Sequence, residues 1–194
     1  MAGARTQSAP PDTRAGTDDA LLAVRAAEGD EDAFAVLVQR HAPALIRLAT
    51  SLLGTAAEAE DAVQDAFISA WRRLPEFQGR AAFGTWLYRI VTNRCLNVLR
   101  ARRPVAPLEA AGEVPAAEHT VSPARITEGR DAVRELREAL DLLSAEQRAC
   151  WVLRELDGRS YEFVAETLGI SQEAVRARVF RARRCLTQAL GAWR

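Results

Sequence analysis

The stretch SYEFVAETLGISQEAVRARVFRARRCL, Ser160 to Leu186, contains two helix starts and one turn. Ser160 and Ser171 stand where N-caps stand, since a serine hydroxyl can accept an otherwise unpaired N–H of a first helical turn. Gly169 falls between them, where a tight turn calls for positive φ. Ala165, four residues before it, is small enough for two helices to cross. Val164, Leu168, Ile170, Val175 and Val179 supply an apolar set that holds the pair together. The spacing predicts a helix-turn-helix whose second helix runs from Ser171 to about Leu190.

With Val175 and Val179 turned inward, Gln172, Glu173, Arg176 and Phe180 face outward, and Arg178, Arg181, Arg183 and Arg184 surround them. Glutamine and arginine can form paired hydrogen bonds to adenine and guanine edges, and glutamate can accept from cytosine. The flanking arginines suit phosphates. The bland alternative is a helical hairpin with a solvated basic face; turn, caps, core and charge together favour DNA.

Composition narrows the rest. The 194 residues carry 26 basic and 26 acidic side chains, so the chain is neutral, and every basic one is arginine. The charge is nonetheless sorted: Asp18 to Asp65 holds ten acids against three arginines, and Ala66 to Arg103 eight arginines against one acid. Such blocks indicate surfaces with different partners. Cys95, Cys150 and Cys185 are scattered, without a CxxC pair and without His41 or His119 at ligand spacing, which predicts buried thiols and no metal. No apolar run approaches the ~20 residues of a membrane span, and the N-terminus has no signal-peptide pattern; the expectation is a cytoplasmic protein. A phosphate-binding glycine loop, a metal cluster and a nucleophile–base pair are all missing from the sequence, so neither an enzyme nor a cofactor is expected.

Helical periodicity runs through both halves and no β alternation interrupts it. Residues 1–17, rich in Ala, Pro, Thr and Gly, are expected to be disordered. Asp30 or Asp32 can cap a helix carrying Phe34, Leu37, Val38, Leu45, Ile46 and Leu48, which Gly54 ends. Thr55 to Glu58 reads as a capping box for a helix to about Arg73, stopped by Pro75. A further helix spans about Phe83 to Arg102 on Leu87, Ile90, Val91, Leu96 and Leu99. The stretch 104–128 is proline-rich and aperiodic, a linker. Beyond it, 129–194 holds a helix from Arg130 to Asp141, a capping box at Ser144 to Gln147, and the helix-turn-helix. The fold class is all-α: two small helical domains, 18–103 and 129–194, joined by a flexible linker.

In the first domain Phe77, Gln78, Arg80, Phe83, Trp86, Tyr88, Arg89, Asn93, Arg94 and Asn97 interleave rings, arginines and amides. Unstacked bases bind to such a mixture, rings stacking on them and arginines meeting phosphates. Core packing is the competing role for Phe83, Trp86 and Leu87.

The blocks Ala59 to Phe77 and Gly79 to Arg103 resemble region 2 of bacterial RNA polymerase sigma factors, more specifically the extracytoplasmic-function (ECF) group of the sigma-70 family. LDLLSAEQRACWVLRELDGRSYEFVAETLGIS and the helix after it resemble region 4 of that family. The resemblance covers roughly 19–101 and 134–190. It implies an alternative sigma factor that binds core RNA polymerase and starts transcription of a specific regulon. Asp61, Gln64, Asp65, Ile68, Trp71 and Arg72, spaced at three or four, would face the polymerase; Trp71 and Phe67 could instead be core. Phe77, Gln78, Arg80, Phe83, Trp86, Arg89, Asn93 and Asn97 would bind the melted −10 element. Ser171, Gln172, Glu173, Arg176, Arg178, Phe180 and Arg181 would read the duplex −35 element. An anti-sigma factor is the further partner the family implies. Gln172-Glu173-Ala174 departs from the small residue and threonine common there, which alters the base contacts. Two other functions fit the residues: a stand-alone helix-turn-helix regulator and a sigma-like interaction adaptor.

Overall fold

A computed structural model describes residues 13–79, 81–102 and 128–191, with side chains from 18 and from 133 onward in the two outer segments. The expected linker lies outside the described residues, apart from Glu128, and so does Arg80. Among the described residues all regular structure is helical. Helix α1 spans Thr13–Ala27, α2 Glu31–Leu53, α3 Ala56–Arg73 and α4 Phe83–Arg102; α5 spans Glu128–Asp141, α6 Ala145–Trp151, α7 Tyr161–Leu168 and α8 Gln172–Gly191. Helix α1 begins inside the segment expected to be disordered, because the alanine- and leucine-rich run from Asp18 to Ala27 offers a helical face to α2 that composition alone did not reveal.

The boundaries follow local chemistry. Asp30 caps α2 by accepting from the Ala33 N–H at 2.9 Å, and Gly54 ends it in the left-handed region at φ 91°. Thr55 caps α3, but the capping box is incomplete: the Glu58 carboxylate accepts from the Thr55 hydroxyl and from Arg102 instead of the cap N–H. The box at Ser144 is complete, with Gln147 bonded back to the Ser144 N–H. Pro75 lies in a short 3₁₀ turn, Leu74–Glu76, after α3.

Helices α1 to α4 form one bundle and α5 to α8 another, and the two pack together. One continuous cluster of buried side chains runs from Leu37, Leu52 and Leu87 into Cys150, Leu153 and Val164. The cause lies in α4. Leu87, Tyr88, Ile90, Val91, Cys95, Leu96 and Leu99 are all buried, a wider arc than one partner can cover. Helices α1, α2 and α3 take one part, and α6 and α7 take the rest. Separately, α5 closes over α8 through Leu140, Leu143, Ala182 and Leu186.

Polar groups pin this seam. Arg159 donates to the Tyr88 hydroxyl and, at 2.7 Å, to Asp157; its guanidinium lies 4.5 Å from the Tyr88 ring centre and 4.9 Å from that of Phe163. Burial holds the Tyr88 phenol above its ordinary pKa. Arg100 on α4 pairs with Glu146 on α6 at 3.0 Å.

Candidate protein and nucleic-acid interfaces

On α3, Ala59, Ala62, Val63, Ala66 and Ala70 face the core, which leaves Asp61, Gln64, Asp65, Ile68 and Arg72 exposed and Trp71 half-buried. Gln64, Ile68 and Trp71 do more than share a face: with Phe34, Val38 and Ile46 of α2 they wall an open apolar groove of about 490 Å³. Phe34 sits 4.9 Å from Trp71 and edge-on to Phe67 at 6.4 Å, which fixes the floor. The groove's second wall escaped the sequence reading because Phe34, Val38 and Ile46 carry the same periodicity as true core positions. Asp65 is engaged with Arg94 of α4 in an exposed ion pair.

The residues expected at single-stranded DNA separate into two groups. Trp86, Arg89, Asn93 and Asn97 recur every three or four positions along α4; the last three are exposed and Trp86 is half-buried. Phe77 is half-buried and Gln78 exposed before the helix. Phe83 is a correction. It is 3% exposed, packed 5.6 Å from His41, 5.8 Å from Phe77 and 5.7 Å from Trp86, and offers no free face to a base. It acts instead as the support on which Phe77 and Trp86 rest, themselves 5.1 Å apart. Behind it His41 is held by Asp19 at 2.8 Å, which also binds Arg40.

In the helix-turn-helix, Ser160 caps α7 and Ser171 caps α8, accepting from Ala174 at 3.1 Å. Gly169 adopts φ 67°, and the Ile170 N–H returns to the Ala165 carbonyl. Val175, Val179, Ala182 and Leu186 are buried. Gln172, Glu173, Arg176, Phe180, Arg181 and Arg184 are exposed, Phe180 by 65%. Arg178 sits one turn from Val175 and Ala182, is half-buried, and its charge acts on Glu146 and on the Cys150 thiol. Arg183 is paired with Glu155 at 2.8 Å. Among the described residues no group of three His, Cys, Asp or Glu side chains could hold a metal ion, and no helix is long and apolar enough to cross a membrane.

The paired surfaces, a groove-forming bundle with an arginine–amide stripe and a capped helix-turn-helix, coincide with two family matches. Residues 37–105 match sigma-70 region 2, and residues 133–186 match sigma-70 region 4. Relatives agree over nearly the whole length. RNA polymerase sigma factor NccH of Alcaligenes xylosoxydans xylosoxydans is 37% identical over 175 residues, 89% of this chain and 94% of the relative. ECF RNA polymerase sigma factor SigM of Mycobacterium tuberculosis is 40% identical over 177 residues, 90% and 85% of the two chains. The chain belongs to the ECF group of the sigma-70 family. Its fold also matches the structure of CnrH in complex with the cytosolic domain of CnrY, with a TM-score of 0.68 and 31% identity over 90% of this chain and 98% of that one. In this ECF sigma-family protein, the region 2 match begins within α2 and takes in α3 and α4, and the region 4 match begins within α5 and ends within α8.

Proposed function

We propose that this chain is an alternative sigma factor that docks on core RNA polymerase through the α2–α3 groove, engages the melted −10 element with α4, and reads the duplex −35 element with α8. The observation that carries this is the pair of outward stripes on one chain: Trp86, Arg89, Asn93 and Asn97 on α4, and Gln172, Glu173, Arg176 and Phe180 on α8. The first suits unstacked bases and the second a major groove. A binder of duplex DNA alone needs no first stripe and no apolar groove. The groove suits an apolar anchor from a protein partner, with Asp61, Asp65 and Arg72 as its charged rim. Catalysis of RNA synthesis then belongs to the core enzyme, and this subunit supplies placement. An anti-sigma factor is the second proposed partner, in line with the similar fold (28% identity, TM-score 0.58) of the sigma factor RpoE in complex with the anti-sigma factor NepR from Bartonella quintana.

The purified chain, added to core polymerase on a genomic promoter library, is expected to produce specific run-off transcripts. Ile68→Asp places a charge on the groove wall at an exposed position; it should leave the melting temperature within a few degrees and abolish core binding in a pull-down. A wild-type chain that neither binds core nor directs specific transcripts would sink the proposal.

A further inference from the structure

Arg176 is the exposed cation best placed to read a base, and it is not free to swing. Its Nη2 donates to the Gln172 Oε1 one turn earlier on α8, at 3.3 Å. Its guanidinium also stands 5.3 Å from the ring centre of Tyr161, within the range of a cation–π contact. Tyr161 opens α7, is half-buried against the main core and is therefore fixed from behind. The guanidinium of Arg154 lies 4.7 Å from the same ring centre, and its Nη1 donates to the Arg159 carbonyl. The ring is thus a platform clamped by the domain's own backbone, and Arg176 rests on it.

Two chemical consequences follow. An arginine has five N–H donors in a rigid fork, so one bond to Gln172 leaves ample donors for the O6 and N7 acceptors of guanine. Holding the fork in place before binding removes part of the ordering cost that a free arginine would meet on the DNA. Gln172 is changed in the opposite sense. Reading adenine requires its amide to accept from N6 and donate to N7 together, and one of the two lone pairs of its Oε1 is already engaged by Arg176.

We propose that Tyr161 and Gln172 are positioning residues that hold the Arg176 fork ready for a guanine edge. This rests on the assignment of α8 to the −35 element, and deepens it by naming the residues that hold one of its readers.

The test uses the full chain with core polymerase on promoters carrying a randomised −35 duplex, with transcripts sequenced to give the base preference at each position. Arg176→Ala should erase a guanine preference at one position, by roughly tenfold, within the range carried by a bidentate pair. Tyr161→Leu and Gln172→Ala should each weaken preference at that same position by about two- to fivefold, the size of an exposed cation–π or buttressing contact. Tyr161→Phe keeps the ring face and should retain it. Combined with Arg176→Ala, Tyr161→Leu should add nothing at that position. Arg184→Ala should lower transcription evenly across sequences.

Several outcomes overturn the assignment: no guanine preference tied to Arg176, a Tyr161→Leu loss spread evenly over all positions, or an adenine preference that Gln172→Ala removes elsewhere. Gln172 is exposed, so its variant is informative even if Tyr161→Leu misfolds. A wild-type chain without specific transcripts overturns the sigma-factor function itself. Specific transcripts whose −35 preference ignores both Tyr161 and Gln172 overturn this assignment alone.

Discussion

Phe83 and Phe180 stand in similar company, each among arginines on a helix marked for DNA, yet one is 3% exposed and the other 65%. In region 2 the ring serves the interior, and the surface proposed for DNA is built on top of it from Phe77, Trp86 and the outer stripe of α4. In region 4 the inner work is done by Val175 and Val179, which frees the ring of Phe180 for display. Residue type announces an aromatic contact; depth decides whether its partner is protein or nucleic acid.

The largest expected effect tests this contrast directly. Phe83→Ala should cost about 3–5 kcal/mol of stability, as large-to-small core changes do, whereas Phe180→Ala should fall within about 0.5 kcal/mol and yet weaken promoter binding severalfold. Thermal melts and promoter-binding titrations on the two variants would break the comparison if their results were interchanged.

Next in size is Gly169→Ala. The φ of 67° disfavours any side chain by about 1–2 kcal/mol. The added Cβ would meet only the Arg89 Nη2 at an ordinary 3.8 Å, so urea unfolding should register backbone strain without a steric excess. A much larger loss would mean that the turn packs on α4 more tightly than the structure shows.

A smaller, pH-dependent effect belongs to the seam between the regions. Burial pushes the Glu146 carboxyl upward, but its backbone hydrogen bond and Arg100 outweigh that and leave it below the ordinary 4.5. A depressed carboxylate stabilises fully above its unfolded value and loses that contribution as pH falls through the folded one. Wild type should therefore exceed Glu146→Gln in stability near pH 7, and the gap should narrow as pH falls below the ordinary 4.5. A gap independent of pH would remove the Arg100–Glu146 pair from the seam's energetics.

The mildest probe is thiol labelling. Burial raises the Cys95 thiol to about 12, and Cys150 is also raised by burial, so both should resist alkylation at pH 8. Cys185, half-buried on α8, should react first. Rapid labelling of Cys95 or Cys150 under native conditions would show the seam opening.

Much of the molecule is legible in its residues. The Ser144 box, the αL glycines at 54 and 169, and the serine caps of α7 and α8 lie where local rules place them, because each satisfies backbone groups within a few residues of itself. The outward set on α8 is equally local: two valines four apart fix which side faces out. The groove on α2 and α3 was only half visible, since Phe34 and Val38 have the spacing of core residues and only the shape of the packed pair shows that one side of each stays open.

By itself, then, the sequence determined α2 to α8, most of their caps, the helix-turn-helix and its outward face, all set by short-range hydrogen bonding and by period 3.6. Tertiary structure alone decided that Phe83 is support rather than contact, that the charge of Arg178 acts on Glu146 and Cys150, and that Tyr161 carries Arg176. These assignments depend on which surfaces meet across distant segments, and a one-dimensional pattern does not encode which of two apolar or charged faces will find a partner.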